Sequence, residues 1–407
     1  MPIEIRIVPA DQLRHYVDTV NVAFGEPTDD AQFLLDQALF EPERVLGAYD
    51  GETLVGGGAA FSFRMTVPGG ARVRTAGVTG VGVLPTHRRQ GILRQLMARQ
   101  LNDVRSAGEP LAALVASEGS IYQRFGYGIG ILLGQIDIER DRAAFRAPTS
   151  PVGTVRLVDK DEARRLMPLV YDPVCAATPG FIERGPAWWD ERLADIEVHR
   201  RGAGPQYRAI YEHDGHVLGY ARYRIKSDWT EIASASVLMV NELIGADPIA
   251  ERELWRYVFG VDLVARIKYR WGPPNHPLLL MVAEPRRLAL RVSDAIWLRI
   301  VDVPAALTAR SYAQDGSLVL DVSDEFLPAA AGRWRLTVSG TAGKVEPTTD
   351  PADLQLDTTD LTAVYMGTFS FGDLARAART QELTPDAWAR ADALFATSVK
   401  PWCSTPF

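Results

Sequence analysis

The sequence predicts an α/β protein of several domains, chiefly because strand-type and helix-type segments alternate along it. The first 145 residues mix both periodicities, and residues 153–289 repeat the arrangement. From about residue 294, strands alternate with turns, and two helical segments close the chain. A length of 407 residues has room for roughly two to four domains of about 100–200 residues. We divide the chain into residues 1–147, 148–291 and 292–407.

The first region contains a strand–loop–helix–strand unit. Residues 11–24 have helical apolar spacing, and two apolar runs, 54–67 and 71–84, flank a Pro-Gly-Gly turn that predicts a hairpin. A helix with one apolar face follows over 91–105, and 111–116 is typical of a buried strand. Because this order makes a parallel crossover, we expect a ligand site where the crossover begins.

The second and third regions are predicted in less detail. After a linker over 146–151, the second region is predicted to contain helices over 159–170 and 249–262, and strands over 207–211, 217–226 and 233–243. The third is predicted to contain strands over 297–301, 318–322 and 334–339, and helices over 371–380 and 385–397.

Composition argues against several classes of function. The formal net charge of −7 gives no general attraction to nucleic acid or anionic lipid. Cys175 and Cys403 are far apart in sequence, which predicts neither a disulfide framework nor a CxxC metal site. His213 and His216 flank a turn, which favours a solvated hairpin tip over a pair of metal ligands. A charged N-terminus and the lack of apolar stretches near the roughly 20 residues that span a bilayer predict a cytoplasmic protein without metal, nucleic-acid or membrane partners.

Residues 81–94 have the chemistry of an anion site. A strand enters a loop with Arg88 and Arg89, and Gly91 opens a helix that carries Arg94. The first turn of a helix has free N–H groups and a partial positive charge, so it can accept a pyrophosphate that the arginines also bind. Gly91 has no Cβ to keep a phosphate from the backbone. On physical grounds alone, a solvated basic loop explains these residues equally well.

This loop resembles motif A of the GNAT N-acetyltransferases, Arg/Gln-x-x-Gly-x-Gly/Ala. It is written here Arg88-Arg-Gln-Gly91-Ile-Leu93, and Leu93 replaces the usual small residue. The longer pattern Val-x-Val-x-Pro-Thr-His-Arg-Arg-x-Gly-x-Leu-Arg is similar to the narrower family of enhanced intracellular survival (Eis) acetyltransferases of actinobacteria. Two further windows resemble that family: Ala116-Ser-Glu-Gly-Ser-Ile-Tyr-Gln-Arg-Phe-Gly-Tyr-Gly128 and Trp297-Leu-Arg-Ile-Val-Asp-Val-Pro-Ala-Ala-Leu307.

The resemblance implies tandem GNAT folds followed by a sterol-carrier-like domain. Residues 1–147 would bind acetyl-CoA and catalyse, 148–291 would be a degenerate GNAT domain without cofactor, and 292–407 would supply the C-terminal carboxylate. The second domain presents Asp247, and no arginine pair, where a phosphate would lie. The implied reaction moves acetyl from acetyl-CoA to primary amines of aminoglycoside, polyamine or lysine type, without a covalent acyl-enzyme. The implied assembly is a homohexamer, a trimer of dimers.

The resemblance also assigns the cofactor site. Strand backbone is implied to bind the pantetheine arm, and the loop is implied to bind the pyrophosphate. The matching positions are Val81, Gly82 and Val83 for the arm, and Arg88, Arg89, Gln90, Gly91, Ile92, Leu93 and Arg94 for the phosphates. Ser117 and Glu118 match further cofactor contacts, although by themselves they indicate only the start of a helix.

Two catalytic residues follow from the resemblance. Tyr122 matches the general acid, and a phenol of pKa about 10 can protonate a thiolate of pKa about 8.5 at a cost of about 2 kcal/mol. Tyr127 competes for this role, although its aromatic-glycine turn indicates packing. The carboxylate of Phe407 matches the base, but direct deprotonation of an ammonium would be uphill by about 9 kcal/mol. Burial or a relaying water must help. On sequence alone, a frayed end is the commoner fate of such a tail.

The acceptor site is implied to lie near the N-terminus. Phe24 and Glu26 match residues that line it, where an aromatic ring and an acid suit a polycationic amine. Some family members have Glu before the terminal Phe, whereas this chain has Pro406. An alternative function is a lipid-binding or sterol-binding carrier with a vestigial acetyltransferase domain.

Overall fold

The computed structural model describes residues 2–407, whose strands and helices follow one another in three groups. The first comprises β1 (Glu4–Ile7), α1 (Leu13–Phe24), α2 (Asp30–Gln37), β2 (Val45–Asp50), β3 (Thr53–Thr66), β4 (Arg72–Val83), α3 (Ile92–Ser106), β5 (Leu111–Val115), α4 (Gly119–Tyr122) and β6 (Gly128–Glu139). The second comprises β7 (Thr154–Leu157), α5 (Lys160–Ala177), α6 (Pro186–Leu193), β8 (Tyr207–His213), β9 (His216–Lys226), β10 (Val237–Gly245), α7 (Pro248–Gly260), β11 (Arg266–Gly272), α8 (Leu278–Met281) and β12 (Arg291–Ile300). The third comprises α9 (Val303–Ala309), β13 (Gly316–Ser323), β14 (Gly332–Ser339), β15 (Ala342–Pro347), β16 (Leu354–Asp357), α10 (Thr358–Tyr365), α11 (Phe371–Arg376), β17 (Gln381–Glu382) and α12 (Ala387–Phe395).

The first two groups share one sheet of twelve strands, in the order β1-β2-β3-β4-β5-β12-β6-β11-β10-β9-β8-β7. β6 follows β5 in the chain but pairs antiparallel with β11, and β12 follows β11 but pairs antiparallel with β5. β12 and β6 also pair with each other. The two groups therefore exchange their last strands, which joins them edge to edge.

The predicted hairpin and crossover are confirmed. β3 and β4 pair antiparallel around a turn closed by a hydrogen bond from the N–H of Gly70 to the carbonyl oxygen of Val67. β4 and β5 pair in parallel, and α3 connects them. The apolar face of α3, including Leu96 and Leu101, is fully buried, which explains why this helix packs on the sheet.

The third group forms a separate five-stranded sheet that packs on the large one. Its strand order is β15-β14-β13-β16-β17, and β13 and β16 are parallel. Leu320 of β13 shares one apolar core with Phe63 of β3 and Ile296 of β12, and α10 contacts β6 and β12. The predicted α/β class is confirmed.

Several predicted elements differ in extent, and three of them show why. β10 begins at Val237 rather than residue 233, because the hydroxyls of Ser234 and Ser236 bind backbone carbonyls of a loop instead of a ladder. α5 continues past residue 170, since Tyr171 and Cys175 extend its buried face. β12 starts at Arg291, so the segment around the division predicted at residue 292 is a strand of the large sheet.

None of the helices in residues 2–407 combines the length and the hydropathy that a bilayer crossing requires.

Candidate active site

The two strands of the crossover separate where a cavity begins. They pair only from Thr75 to Gly77 of β4, whereas β4 continues to Val83 and β5 to Val115. On its other side, β4 remains paired with β3 as far as Val83. The far ends of β4 and β5 thus diverge, and a cavity of about 570 Å³ lies between them.

The cavity brings together predicted residues from several stretches of chain. Six of them line it: Phe24, Glu26, Val81, Ser117, Tyr122 and Phe407. The other predicted residues lie outside its lining: Gly82, Val83, Arg88, Arg89, Gln90, Gly91, Ile92, Leu93, Arg94 and Glu118. The lining therefore includes two of the predicted donor positions, Val81 and Ser117, beside the predicted acceptor and catalytic positions, while the remaining donor positions lie outside it.

The end of α1 places Phe24 and Glu26 on the cavity wall. Gly25 has a φ of +72°, in the left-handed region where a glycine is unstrained. Its N–H donates to the carbonyl of Val22 at 3.2 Å, and the N–H of Glu26 donates to that of Asn21 at 2.9 Å. This C-cap reverses the chain, and both side chains stay close to the cavity.

Tyr122 is the tyrosine that reaches the cavity. It ends the short helix α4 directly after β5, and it is 7% exposed. Burial raises the pKa of its phenol, which keeps the group protonated at neutral pH. Tyr127 packs edge-on against it at 5.9 Å but is fully buried and outside the cavity lining.

The C-terminal tail is buried rather than frayed. Cys403, Ser404 and Thr405 are each at most 3% exposed. The last two residues, Pro406 and Phe407, line the cavity that also contains Tyr122. The tail leaves the third group and ends between the first two.

Gly91 caps α3 with a φ of +79°, a conformation that favours glycine. A Cβ at this position would have no atom within 4 Å, so the conformation, rather than lack of space, requires glycine here. The N–H groups of the first turn of α3, at Ile92, Leu93 and Arg94, have no acceptor within the helix. Arg89 and Gln90 are exposed beside them. The loop thus presents free donors and positive charge to solvent.

The three arginines of this loop differ in their contacts. Arg88 binds backbone, since its Nη2 donates to the carbonyl of Ala23 at 2.9 Å. Its Nε also donates to the carbonyl of Val83 at 3.4 Å. Arg94 lies 5.0 Å above the ring of Phe326, which the third group contributes. Arg89 and Arg94 are exposed.

The cavity also contains two acids that the sequence analysis missed. Asp36 comes from α2 and Glu191 from α6, which belong to different groups. Burial raises the pKa of Asp36 to about 6, and the negative charge of Glu191 raises it further. A hydrogen bond from Gln32 has the opposite effect and lowers this pKa. Neither acid carries a sequence signal, because only the packing of α2 against α6 brings them together.

Two stretches of the chain, residues 4–130 and 180–300, match the family described as an acetyltransferase (GNAT) domain. Residues 303–404 match the sterol carrier protein domain. An uncharacterized N-acetyltransferase of Streptomyces avermitilis is 39% identical over 407 residues, which cover 99% of each chain. The N-acetyltransferase Eis of Mycobacterium tuberculosis is 35% identical over 381 residues, which cover 92% of this chain and 88% of that protein. The crystal structure of Eis1 from Mycobacterium abscessus matches with a TM-score of 0.85 and 33% identity over 100% of both chains.

The chain belongs to the Eis-type family of GNAT N-acetyltransferases. The predicted tandem GNAT folds and sterol-carrier-like domain are confirmed, while their predicted boundaries stay predictions. As an Eis-type enzyme, the protein is an N-acetyltransferase, and its GNAT fold implies acetyl-CoA as the acetyl donor. Across residues 2–407, no group of three or more His, Cys, Asp or Glu side chains is arranged to hold a metal ion.

The second GNAT fold of this Eis-type enzyme differs at the position that matches the phosphate loop. Asp247 caps α7, and its carboxylate accepts from the N–H groups of Ile249 and Ala250, both at 2.8 Å. The chain's own carboxylate thus occupies the first-turn donors that α3 leaves free.

Proposed function

We propose that this enzyme acetylates a primary amine that carries more than one positive charge. The carrying observation is the single cavity in which Tyr122 and Phe407 lie together with three acids, Glu26, Asp36 and Glu191. Carboxylates in a half-buried cavity attract cations more strongly than they do in water. Phe24, which is 48% exposed, adds an aromatic face that suits an ammonium group.

The donor lies across the junction of β4 and α3 in this proposal. The strand backbone of Val81, Gly82 and Val83 binds the pantetheine arm, and Ser117 and Glu118 contribute from the end of β5. Divergence of the two strands supports this path, because it exposes β4 backbone towards the cavity. The pyrophosphate lies on the first turn of α3, where free N–H groups and helix charge favour an anion.

The loop residues have different roles at the phosphates, as their contacts indicate. Arg89 and Arg94 are exposed there and supply charge-assisted hydrogen bonds. Arg88 helps by holding the loop against the end of α1 through the carbonyl of Ala23. Gln90, Gly91, Ile92 and Leu93 contribute backbone donors or shape.

Transfer is direct. The neutral amine attacks the thioester carbonyl, a C–N bond forms, and the C–S bond breaks as the tetrahedral intermediate collapses. Tyr122 donates its proton to the leaving sulfur. Its raised pKa makes this transfer less favourable than for a free phenol, but burial raises the pKa of a thiol in the same cavity as well. Cys175 and Cys403 are buried and outside the cavity lining, which supports a mechanism without an acyl-cysteine.

The carboxylate of Phe407 accepts the amine's proton through a water molecule and orients the cationic acceptor. The water relay gives the proton a path but leaves the pKa difference between a carboxylate and an ammonium, so burial must raise the pKa of the carboxylate or lower that of the amine. Polyamines, aminoglycosides and lysine side chains are the acceptor classes that fit. Pro406 contributes a carbonyl and a ring in place of an acid, and Arg192 pairs with Glu191 at 3.2 Å in the same lining, so acid binding of the acceptor falls chiefly to Glu26 and Asp36.

Thiol release tests this function. The purified enzyme is incubated with acetyl-CoA and spermidine, an aminoglycoside or a monoamine of similar length, and the products are weighed by mass spectrometry. We expect acetylation of the two polycations, with a kcat/KM at least tenfold above that of the monoamine. An equal kcat/KM for the monoamine would show that the acidic cavity does not select the acceptor.

The lipid-carrier alternative is not favoured, because the apolar side chains of the third group pack against one another and against β3 and β12. We further propose a homohexamer, a trimer of dimers. Sedimentation equilibrium should give six times the 44.8 kDa mass of the chain, and a monomeric mass would contradict it.

A further inference from the structure

The tail that ends at Phe407 lies in a groove of the second GNAT fold. The N–H of Trp402 donates to the carbonyl of Pro179 at 3.0 Å, and its Nε1 donates to the carbonyl of Trp271 at 3.0 Å. Its ring packs edge-on against that of Phe181 at 5.0 Å. These contacts fix the tail where it enters the groove.

One buried arginine holds the next part of the tail. Arg184 donates to the hydroxyl of Thr405 from Nε at 3.1 Å and from Nη2 at 2.8 Å. Nη2 also donates to the hydroxyl of Ser404 at 3.3 Å, and the hydroxyl of Tyr171 lies 3.1 Å from that of Thr405. Two side chains of the second fold, Arg184 and Tyr171, and two of the tail thus form one hydrogen-bonded cluster.

Arg184 itself is held rigidly. Its two terminal nitrogens bind both oxygens of Glu242, at 2.6 and 3.2 Å, and its guanidinium lies 4.0 Å from the centre of the Tyr171 ring. Arg222 and Tyr220 also donate to Glu242, at 3.2 and 3.0 Å. The side chains of Arg184 and Glu242 have no exposed surface.

A buried ion cluster of this kind is poorly explained by stability alone. Two desolvated charges gain little over well-packed apolar residues, so a fixed geometry is the better account of their presence. Burial opposes ionisation of Glu242, but Arg184 and Arg222 hold the pKa of its carboxyl far below the usual range. The cluster therefore keeps its charges throughout the neutral pH range.

We propose that the second GNAT fold is a receptor for the tail and that Arg184, through Ser404 and Thr405, is the positioning residue for the carboxylate of Phe407. The proposal rests on the proposed role of that carboxylate. Arg192 assists, since its guanidinium donates to the carbonyl of Pro406. In the second GNAT fold, Asp247 already occupies the helix N-terminus that could bind an anion. This fold thus contributes to catalysis by positioning the carboxylate of Phe407.

Thr405 is the point at which this positioning can be tested without breaking the buried ion pair. Thr405→Val keeps the shape of the side chain but removes the acceptor for Arg184, whereas Thr405→Ser keeps the hydroxyl. We expect Thr405→Val to lower kcat about 10- to 100-fold, because small misplacements of a reacting group cost that much. Thr405→Ser should stay within about threefold of the natural enzyme, and the Kd for acetyl-CoA should not change in either variant.

Thr362→Val is the matched control, since Thr362 is also fully buried and hydrogen-bonded but belongs to α10, away from the tail. Thermal unfolding of all three variants shows whether a loss of kcat merely follows a loss of stability. Unchanged kcat in Thr405→Val, or an equal fall in Thr362→Val, would overturn the positioning role. Full activity of a chain extended past Phe407 would instead overturn the proposed base, so the two failures are distinguishable.

Discussion

The ring of Phe407 lies against the ring of Phe63, with centroids 4.8 Å apart and planes at 71°. Phe63 belongs to β3 of the first GNAT fold, and the ring of Trp188 from the second fold lies 5.3 Å from it. The tail that carries Phe407 comes from the third group. All three parts of the chain therefore meet beside one cavity, whose lining includes Trp188 and Phe407.

Replacement of Tyr122 by Phe should lower kcat by about 10²- to 10⁴-fold, the range of a general acid's contribution. The ring remains, so packing against Tyr127 and the Kd for acetyl-CoA should not change. Steady-state kinetics and calorimetric binding measure the two quantities.

Tyr127→Phe is the control for that experiment. The hydroxyl of Tyr127 is buried and has no hydrogen-bond partner among the described residues, so its loss should leave kcat nearly unchanged. A comparable fall in both variants would mean that neither phenol alone is the acid.

Addition of two or three residues after Phe407 should abolish turnover. The extension converts the carboxylate into an amide and forces extra atoms into a cavity that Pro406 and Phe407 already line. The pyrophosphate part of acetyl-CoA should still bind, because the loop at Gly91 lies outside that lining. Activity of the extended chain near that of the natural enzyme would exclude the carboxylate from the mechanism.

Local patterns were sufficient to predict the fold around the loop at Gly91. The hairpin, the helix after Gly91 and the parallel crossover depend on residues close together in the chain, whose spacing and turn residues are visible in the sequence. The sequence also indicated that the tail is buried, since residues 401–407 lack charged side chains and include Trp402 and Phe407.

The acidic part of the cavity depends on long-range packing that no local pattern encodes. Asp36 and Glu191 each resemble an ordinary surface acid of an amphipathic helix, and only the packing of α2 against α6 brings them together. The same holds for Phe326, which reaches Arg94 from another domain. Sequence periodicity predicts which face of an element is buried but not which distant element covers it.

The pKa of Asp36, about 6, predicts a pH-dependent acceptor affinity. Below about pH 6 the carboxyl is neutral, and the cavity loses one negative charge. The KM for a polyamine should therefore fall as pH rises from 5 to 7. Asp36→Asn should flatten this change, and kinetics with an acceptor of fixed charge over that range would measure it.

The same residue has an opposite effect on stability. Its folded-state pKa is above the unfolded value of about 3.9, so ionisation destabilises the fold as pH rises through about 6. Asp36→Asn should therefore raise the Tm at pH 7, with a gain that disappears near pH 4. A gain in Tm that is equal at both values of pH would show that the charge of Asp36 is not its cause.

Replacement of Phe326 by Ala should weaken binding of acetyl-CoA indirectly, through Arg94. Phe326 supports the guanidinium of Arg94 at 5.0 Å, and such a contact contributes about 0.5–1 kcal/mol, so the KM for acetyl-CoA should rise about two- to fivefold. Acetyl-pantetheine has no pyrophosphate for Arg94 to bind, and its KM should not change. Phe326 also packs against Phe125 at 4.9 Å, so a rise for both donors would instead indicate a disturbance of the region around Tyr122. A rise confined to acetyl-CoA would place Arg94 at its phosphates and make the third domain part of the donor site.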